Sequence, residues 1–284
     1  MRVHTVPRLG ALVALSLAAA AAWPSPAAAN HLEAKMYAVT TWNAGCGGSS
    51  RPAWDDMAFA WYNELGDSDW YFRKYSQSNG DVINSKYADA SVVSFGNDTG
   101  FLDDGDAVML AWHGAESGDV YVGSMRVNES GTGDCTLRRD EMELGDRDLE
   151  FLHISSCQSM DDNQWDSWWQ AFDGVHQVDA FHGLMWIGDG LVGDYEDFAD
   201  DAFDDTIADA WLDNMYVEEI DDDDDQCPVA YAVGANSPDM WLRIATERYD
   251  FIHSDPRDIG WWGVMYIEGC DPAAETTIGS NTDS

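Results

Sequence analysis

Lysine is almost missing from this chain: only Lys35, Lys74 and Lys86 occur in 284 residues. Arginine brings the basic total to just 14, against 53 acidic residues, and the net charge is −39. Contact with a phosphate backbone needs clustered basic groups, so nucleic acid is excluded as an expected partner. An anionic membrane surface is excluded on the same ground.

A long apolar run is also missing. The stretch Ala11–Trp23 has 13 residues, short of the ~20 that a helix needs to cross a bilayer. It follows Arg2 and Arg8 and precedes Ala27-Ala28-Ala29. That order of basic, apolar and small residues is expected of a secretory signal peptide over 1–29. The remainder, 30–284, then forms one secreted, extracellular domain with no membrane partner after cleavage. The sequence contains no internal repeat and no D-x-[DN]-x-[DN]-G-x5-E calcium loop. No cofactor is expected; calcium suits the carboxylate excess but has no motif behind it. Nothing in the sequence bears on oligomeric state.

What is present argues for a packed core. Hydrophobic residues make up 45% of the chain, with 14 tryptophans, too many for a disordered polyanion. The five cysteines are Cys46, Cys135, Cys157, Cys227 and Cys270. Four lie in Gly-, Pro- or Asp-containing loop contexts, and only Cys157 follows a strand-like run. Two disulfides among the four loop cysteines are therefore expected, with their pairing open, leaving Cys157 as a thiol.

Strand-like and helix-like segments alternate. Strands are expected at 36–42, 107–112, 149–155 and 178–187, then at Pro-Val-Ala-Tyr-Ala-Val and Gly-Trp-Trp-Gly-Val-Met-Tyr near the C-terminus. A helix with Pro52 near its start covers 52–65. Trp165, Trp168, Trp169 and Phe172 have the spacing of a second. The clearest helix runs over 195–215, with Phe198, Ala202, Ile207, Trp211 and Met215 on its apolar face. Residues 218–225 form an acidic run, expected to be a solvated loop. The sequons at Asn97 and Asn128 suggest surface loops. The alternation predicts an α/β fold with a largely parallel central sheet and helices on both faces.

Two strings carry chemistry. Ala-Val-Met-Leu-Ala-Trp-His-Gly ends at Gly114, and Leu-Glu-Phe-Leu-His-Ile-Ser-Ser-Cys ends at Cys157. Each is an apolar strand with a reactive residue just past its C-terminal end, where parallel sheets gather their sites. A thiolate at Cys157 would be the nucleophile, with the His113 imidazole moving the proton. Gly114 and Cys157 would supply backbone N–H groups to an oxyanion. A helix starting near Asp161–Asn163 would favour the thiolate further. Glu116 and Asp119 are candidates to orient His113 or to shape a pocket for a basic group. His153 reads as packed; His176 and His182 are weaker candidates for the same cleft. Trp261 and Trp262 are candidates for an exposed stacking platform.

An apolar block ending in His-Gly, followed by a later apolar block ending in Cys, resembles the caspase, gingipain, legumain and clostripain superfamily of cysteine peptidases. The resemblance implies a caspase-like three-layer sandwich. It also implies a His113–Cys157 dyad with Gly114 in the oxyanion hole, and a peptide or protein substrate. The pattern Ser-Cys-Gln-Ser-Met through Phe-His-Gly is also similar to a prokaryotic family of secreted proteins with no assigned function. The expected function is a secreted cysteine hydrolase. The alternative is a non-catalytic binding protein for a carbohydrate or protein ligand on the same scaffold.

The charge has a direct consequence. At ~1 M salt the Debye length falls to about 3 Å, which screens most repulsion between exposed carboxylates. The thermal midpoint is expected to rise by many degrees between ~0.1 and ~3 M NaCl. A flat or falling midpoint would show that the charge is tolerated without salt.

Overall fold

The structure is a computed structural model that describes residues 2–7, 32–46, 48–80, 82–127, 135–221, 224–256 and 258–272. In chain order the strands and helices begin with β1 (Arg2–Pro7), β2 (Leu32–Ala38), α1 (Ala53–Asp67), β3 (Tyr71–Ser78), β4 (Ala107–Ala111), β5 (Gly114–Ser117) and β6 (Val120–Ser124). They continue with β7 (Thr136–Arg138), β8 (Phe151–Ser155), α2 (Trp165–Trp168), β9 (Gln177–His182), α3 (Val192–Asp204) and α4 (Ile207–Met215). The last are β10 (Val217–Asp221), β11 (Asp224–Gly234), α5 (Ser237–Ile244) and β12 (Trp261–Tyr266).

The main sheet has the order β1-β12-β11-β9-β8-β4-β2-β3, with β10 paired to β11. Strands β3, β2, β4, β8 and β9 are parallel. β11, β12 and β1 extend this block in antiparallel fashion. β1 lies inside the expected signal segment; without it, β12 becomes the sheet edge. The Asn128 sequon lies outside the described residues.

Strand alternation sorts the core into two clusters. Met36, Met109, Phe151, Phe181 and Ala230 point to one face and meet α1, α3, α4 and α5. Tyr37, Leu110, Ile154, Val178 and Tyr231 point to the other. A sheet buried on both faces is why these strands read as continuous apolar runs.

Three expectations need correction. All the long helices pack on one face. The other is covered by the three-stranded sheet β5-β6-β7, by short turns and by α2, so helices do not flank the sheet equally. The segment 195–215 is two helices. All five residues expected on its apolar face are buried, but the backbone turns extended at Asp205. Carboxylates at Asp201 and Asp204 oppose the negative end of the helix dipole, and Thr206 caps α4 by accepting from the Asp209 N–H at 3.0 Å. Finally, the described residues of the acidic run, 218–221 and 224–225, are strand: they belong to the antiparallel pair β10 and β11.

On the helical face, a polar chain crosses the core. Trp61 Nε1 donates to Tyr249 Oη at 3.0 Å, and Tyr249 Oη bonds His153 Nε2 at 2.7 Å. His153 Nδ1 bonds Asp179 at 2.9 Å. All four residues are fully buried, so His153 is packed, as expected. Tyr249→Phe strands Trp61 Nε1 and His153 Nε2 without partners, and should cost about 1–3 kcal/mol in chemical denaturation. No measurable loss would show that the chain is dispensable.

Candidate functional site

The pairing of β4 with β8 runs in register, from Ala107 opposite Phe151 to Ala111 opposite Ser155. It continues one step further: Trp112 N donates to Ser155 O at 3.3 Å. His113 and Cys157 are each the second residue past those strand ends. Both have odd numbers in strands whose odd positions face the helices, so alternation sends both side chains to that face. Cys157 packs against the helical-side cluster, and His113 lies edge-on to Trp54 of α1 with ring centroids 4.8 Å apart.

Gly114 shows how tightly the two chains run there. A Cβ at this position would come within 2.2 Å of the Cys157 carbonyl oxygen and 2.3 Å of Ser156 Oγ. Only glycine permits that approach. The structure thus brings His113, Gly114 and Cys157 to one edge of the sheet.

His113 is held from three sides. Its Nε2 lies 2.9 Å from the carbonyl oxygen of Ser49. A carbonyl can only accept, so Nε2 carries the proton and in the neutral ring Nδ1 holds the lone pair. Trp42 covers the ring at a centroid distance of 4.5 Å. Burial pushes the His113 pKa down, against the opposing effect of the Ser49 hydrogen bond, and Arg51 lowers it further. The orienting group is therefore a backbone oxygen and neither Glu116 nor Asp119. Glu116 instead accepts from Asn163 at 3.1 Å. No sequence signal marks Ser49, because every residue type carries a carbonyl.

Cys157 lies in a turn fixed by many bonds. It is in neither disulfide, and its Sγ lies 3.7 Å from Met185 O. The next residue, Gln158, has φ of +50°, a left-handed conformation that non-glycine residues rarely adopt. Its N–H donates to Gly183 O at 2.6 Å, and Ser159 Oγ donates to Ser156 O at 2.7 Å. Below the turn, Tyr121 donates to Ser156 Oγ at 2.8 Å and receives the Trp112 indole N–H at 2.7 Å. Ser155 Oγ shares a 2.6 Å bond with Tyr195 of α3.

The helix expected after Cys157 is a run of short helical turns, 3-10 at Asp162–Gln164, the four-residue α2, and 3-10 again at Trp169–Ala171. Asp161 lies nearby, accepting from the Gly183 N–H at 2.7 Å, and burial raises its pKa. His182 stands 4.0 Å from Asp161 at the same end of the sheet. His176 does not join them: it is buried at the other end of β9, bonded to Glu247 at 2.8 Å. Trp262 is buried and stacks on Tyr231 at 5.2 Å, so the Trp261–Trp262 pair forms no exposed platform.

A family model described as a domain of unknown function, DUF6345, matches residues 49–266. The chain belongs to that family. The matched span contains Ser49, His113, Gly114 and Cys157. A search of curated proteins finds no match.

Disulfides join Cys46 to Cys135 and Cys227 to Cys270. The first ties down the loop that presents Trp42 and Ser49 to His113. Replacing Cys46 and Cys135 together by alanine should cost roughly 2–4 kcal/mol. It should also let water reach the imidazole, moving the His113 titration followed by NMR up toward its ordinary value. An unchanged His113 titration would show that the loop holds without its tether.

Proposed function

We propose that this DUF6345 protein is a secreted cysteine hydrolase of peptide-like substrates, with a caspase-like arrangement of its α/β domain. The observation that carries the reading is the convergence of His113, Gly114 and Cys157 past two paired parallel strands, with the His113 Nε2 proton engaged by the Ser49 carbonyl. In this reading Nδ1 takes the Cys157 proton and later returns it to the leaving group, while the thiolate attacks the carbonyl carbon. The backbone N–H groups of Gly114 and Cys157 meet the oxyanion. Two disulfides, and the lack among the described residues of any helix long and apolar enough to span a membrane, are consistent with an extracellular protein.

A depressed His113 pKa keeps the ring a neutral base at neutral pH. Activity should hold as pH falls to the ordinary histidine value of about 6.5 and decline only below it. Iodoacetamide at neutral pH should alkylate Cys157 in the folded protein, mapped by peptide mass. Against a peptide library, Cys157→Ala should abolish cleavage and His113→Ala should slow it by about 10²–10⁴-fold. An intact fold with Cys157 unmodified, or cleavage that survives Cys157→Ala, would sink the reading.

One observation favours a second reading, in which the scaffold binds a carbohydrate without catalysis. Trp70 is 47% exposed and lines a cleft of about 330 Å³ with Glu64, Asp67, Asp200 and Asp204. An exposed indole face beside carboxylates suits stacking and hydrogen bonding to a sugar ring. A glycan array with the wild type and Trp70→Ala separates the two readings.

A further inference from the structure

The opposite end of the parallel sheet gathers carboxylates at the starts of three adjacent strands. Glu33 is in β2, Asp106 immediately precedes β4, and Asp148 lies just before β8. One ligand oxygen from each falls within 4.8 Å of the other two. The backbone fixes two of them together: Glu33 N donates to Asp106 Oδ2 at 2.5 Å. Asp106 O in turn accepts from the backbone N–H groups of Glu150 and Phe151 at 3.1 and 2.9 Å.

Independent observations point to a missing partner. The Glu150 side chain bonds Asp106, but its Oε2 is buried without a hydrogen-bond partner, and the charges acting on it most strongly are Asp106 and Asp148. The Tyr71 hydroxyl is also buried and unpartnered, on a side chain only 2% exposed, and the carboxylates acting on it most strongly are Asp106 and Glu150. Buried polar atoms normally find partners, so two orphans beside one acidic cluster call for an explanation. The nearby bases do not supply it. Lys35 and Arg147 pair with Asp104, and Lys74 divides itself between Asp104 and Glu33. Among the described residues, no basic side chain makes an ion pair with Asp106, Asp148 or Glu150.

We propose that Glu33, Asp106 and Asp148, with Glu150 as a fourth donor, bind a calcium ion at the N-terminal edge of the parallel sheet. The donors are all hard carboxylate oxygens, which excludes a preference for soft thiophilic metals. Several carboxylates on one ion suit calcium, which takes about six to eight oxygens in a flexible shell, better than magnesium, which keeps most of its waters and one or two carboxylates. Asp148 is exposed and gives the ion a path from solvent. The ion ties together the starts of β2, β4 and β8, two of which carry His113 and Cys157 beyond their far ends. The site stands whether or not those residues catalyse.

The test uses the full chain, stripped with chelator and held in ~1 M NaCl so that diffuse ion binding to surface carboxylates is screened. Calcium titration by calorimetry should show one saturable site and a matching rise in thermal midpoint. Terbium bound in the same place should emit on ultraviolet excitation of the surrounding aromatic side chains and lose that emission to calcium. Asp148→Asn, at an exposed position, should retain the fold by circular dichroism yet weaken calcium by at least about tenfold, because calcium affinity follows ligand charge. Asp213→Asn, at an exposed carboxylate of α4, should leave calcium binding unchanged. Absence of saturable binding, equal binding by Asp148→Asn, or an equal response to magnesium would overturn the proposal.

Discussion

The candidate site depends on one parallel strand pairing. β4 and β8 run in register, so whatever follows Ala111 lies beside whatever follows Ser155. Side-chain period then decides which face each residue takes. A slip of one residue would send His113 or Cys157 to the face covered by the small sheet. The apolar content of both strands enforces the register, because Val108, Leu110, Leu152 and Ile154 fill one core while Ala107, Met109 and Phe151 fill the other. The turn after Cys157 is a further constraint. A positive φ at Gln158 persists because backbone bonds from both sides hold it.

The scarce lysines belong to the same frame. Lys35 is almost fully buried and reaches Phe101 O at 2.7 Å and Asp104 at 3.0 Å. Lys74 also meets Asp104, and Lys86 bonds Gln77 at 2.9 Å and sits 4.6 Å above the Phe101 ring. All three therefore fasten strands β2 and β3 and the loops below them. The acids are sorted by position. Most on α1, α3 and α4 face solvent, while Asp98 and Asp103 are fully buried. Burial, with neighbouring carboxylates, pushes those two up to about 8 and 9, so they stay protonated at neutral pH. The two ends of the sheet differ accordingly: one is crowded with carboxylates, the other offers an imidazole and a thiol.

Much of this was legible without coordinates. The first helix was readable over 52–65, with Pro52 near its start, and runs over Ala53–Asp67. Cys157 was separable from the other cysteines because it alone follows a strand. The break at Asp205–Thr206 was not readable from periodicity, since the apolar face continues in phase across it. α2 failed the other way: its tryptophans have helical spacing, but only Trp168 is fully buried, and the segment is a single α-turn between two 3-10 turns. The strand at Val217–Asp221 was hidden by its charge, because pairing with β11 supplies backbone bonds that side-chain polarity does not reveal.

The sequence by itself determined composition, charge, the apolar strands with their reactive termini, and which cysteine stands apart. These are local properties, written in residue identity and spacing. The tertiary structure alone decided that Ser49 orients His113, that Cys46 bonds Cys135, that the long helices share one face, and that Glu33, Asp106 and Asp148 converge. Those outcomes depend on backbone atoms common to every residue, or on strands far apart in the chain whose adjacency exists only once both faces of the sheet are buried.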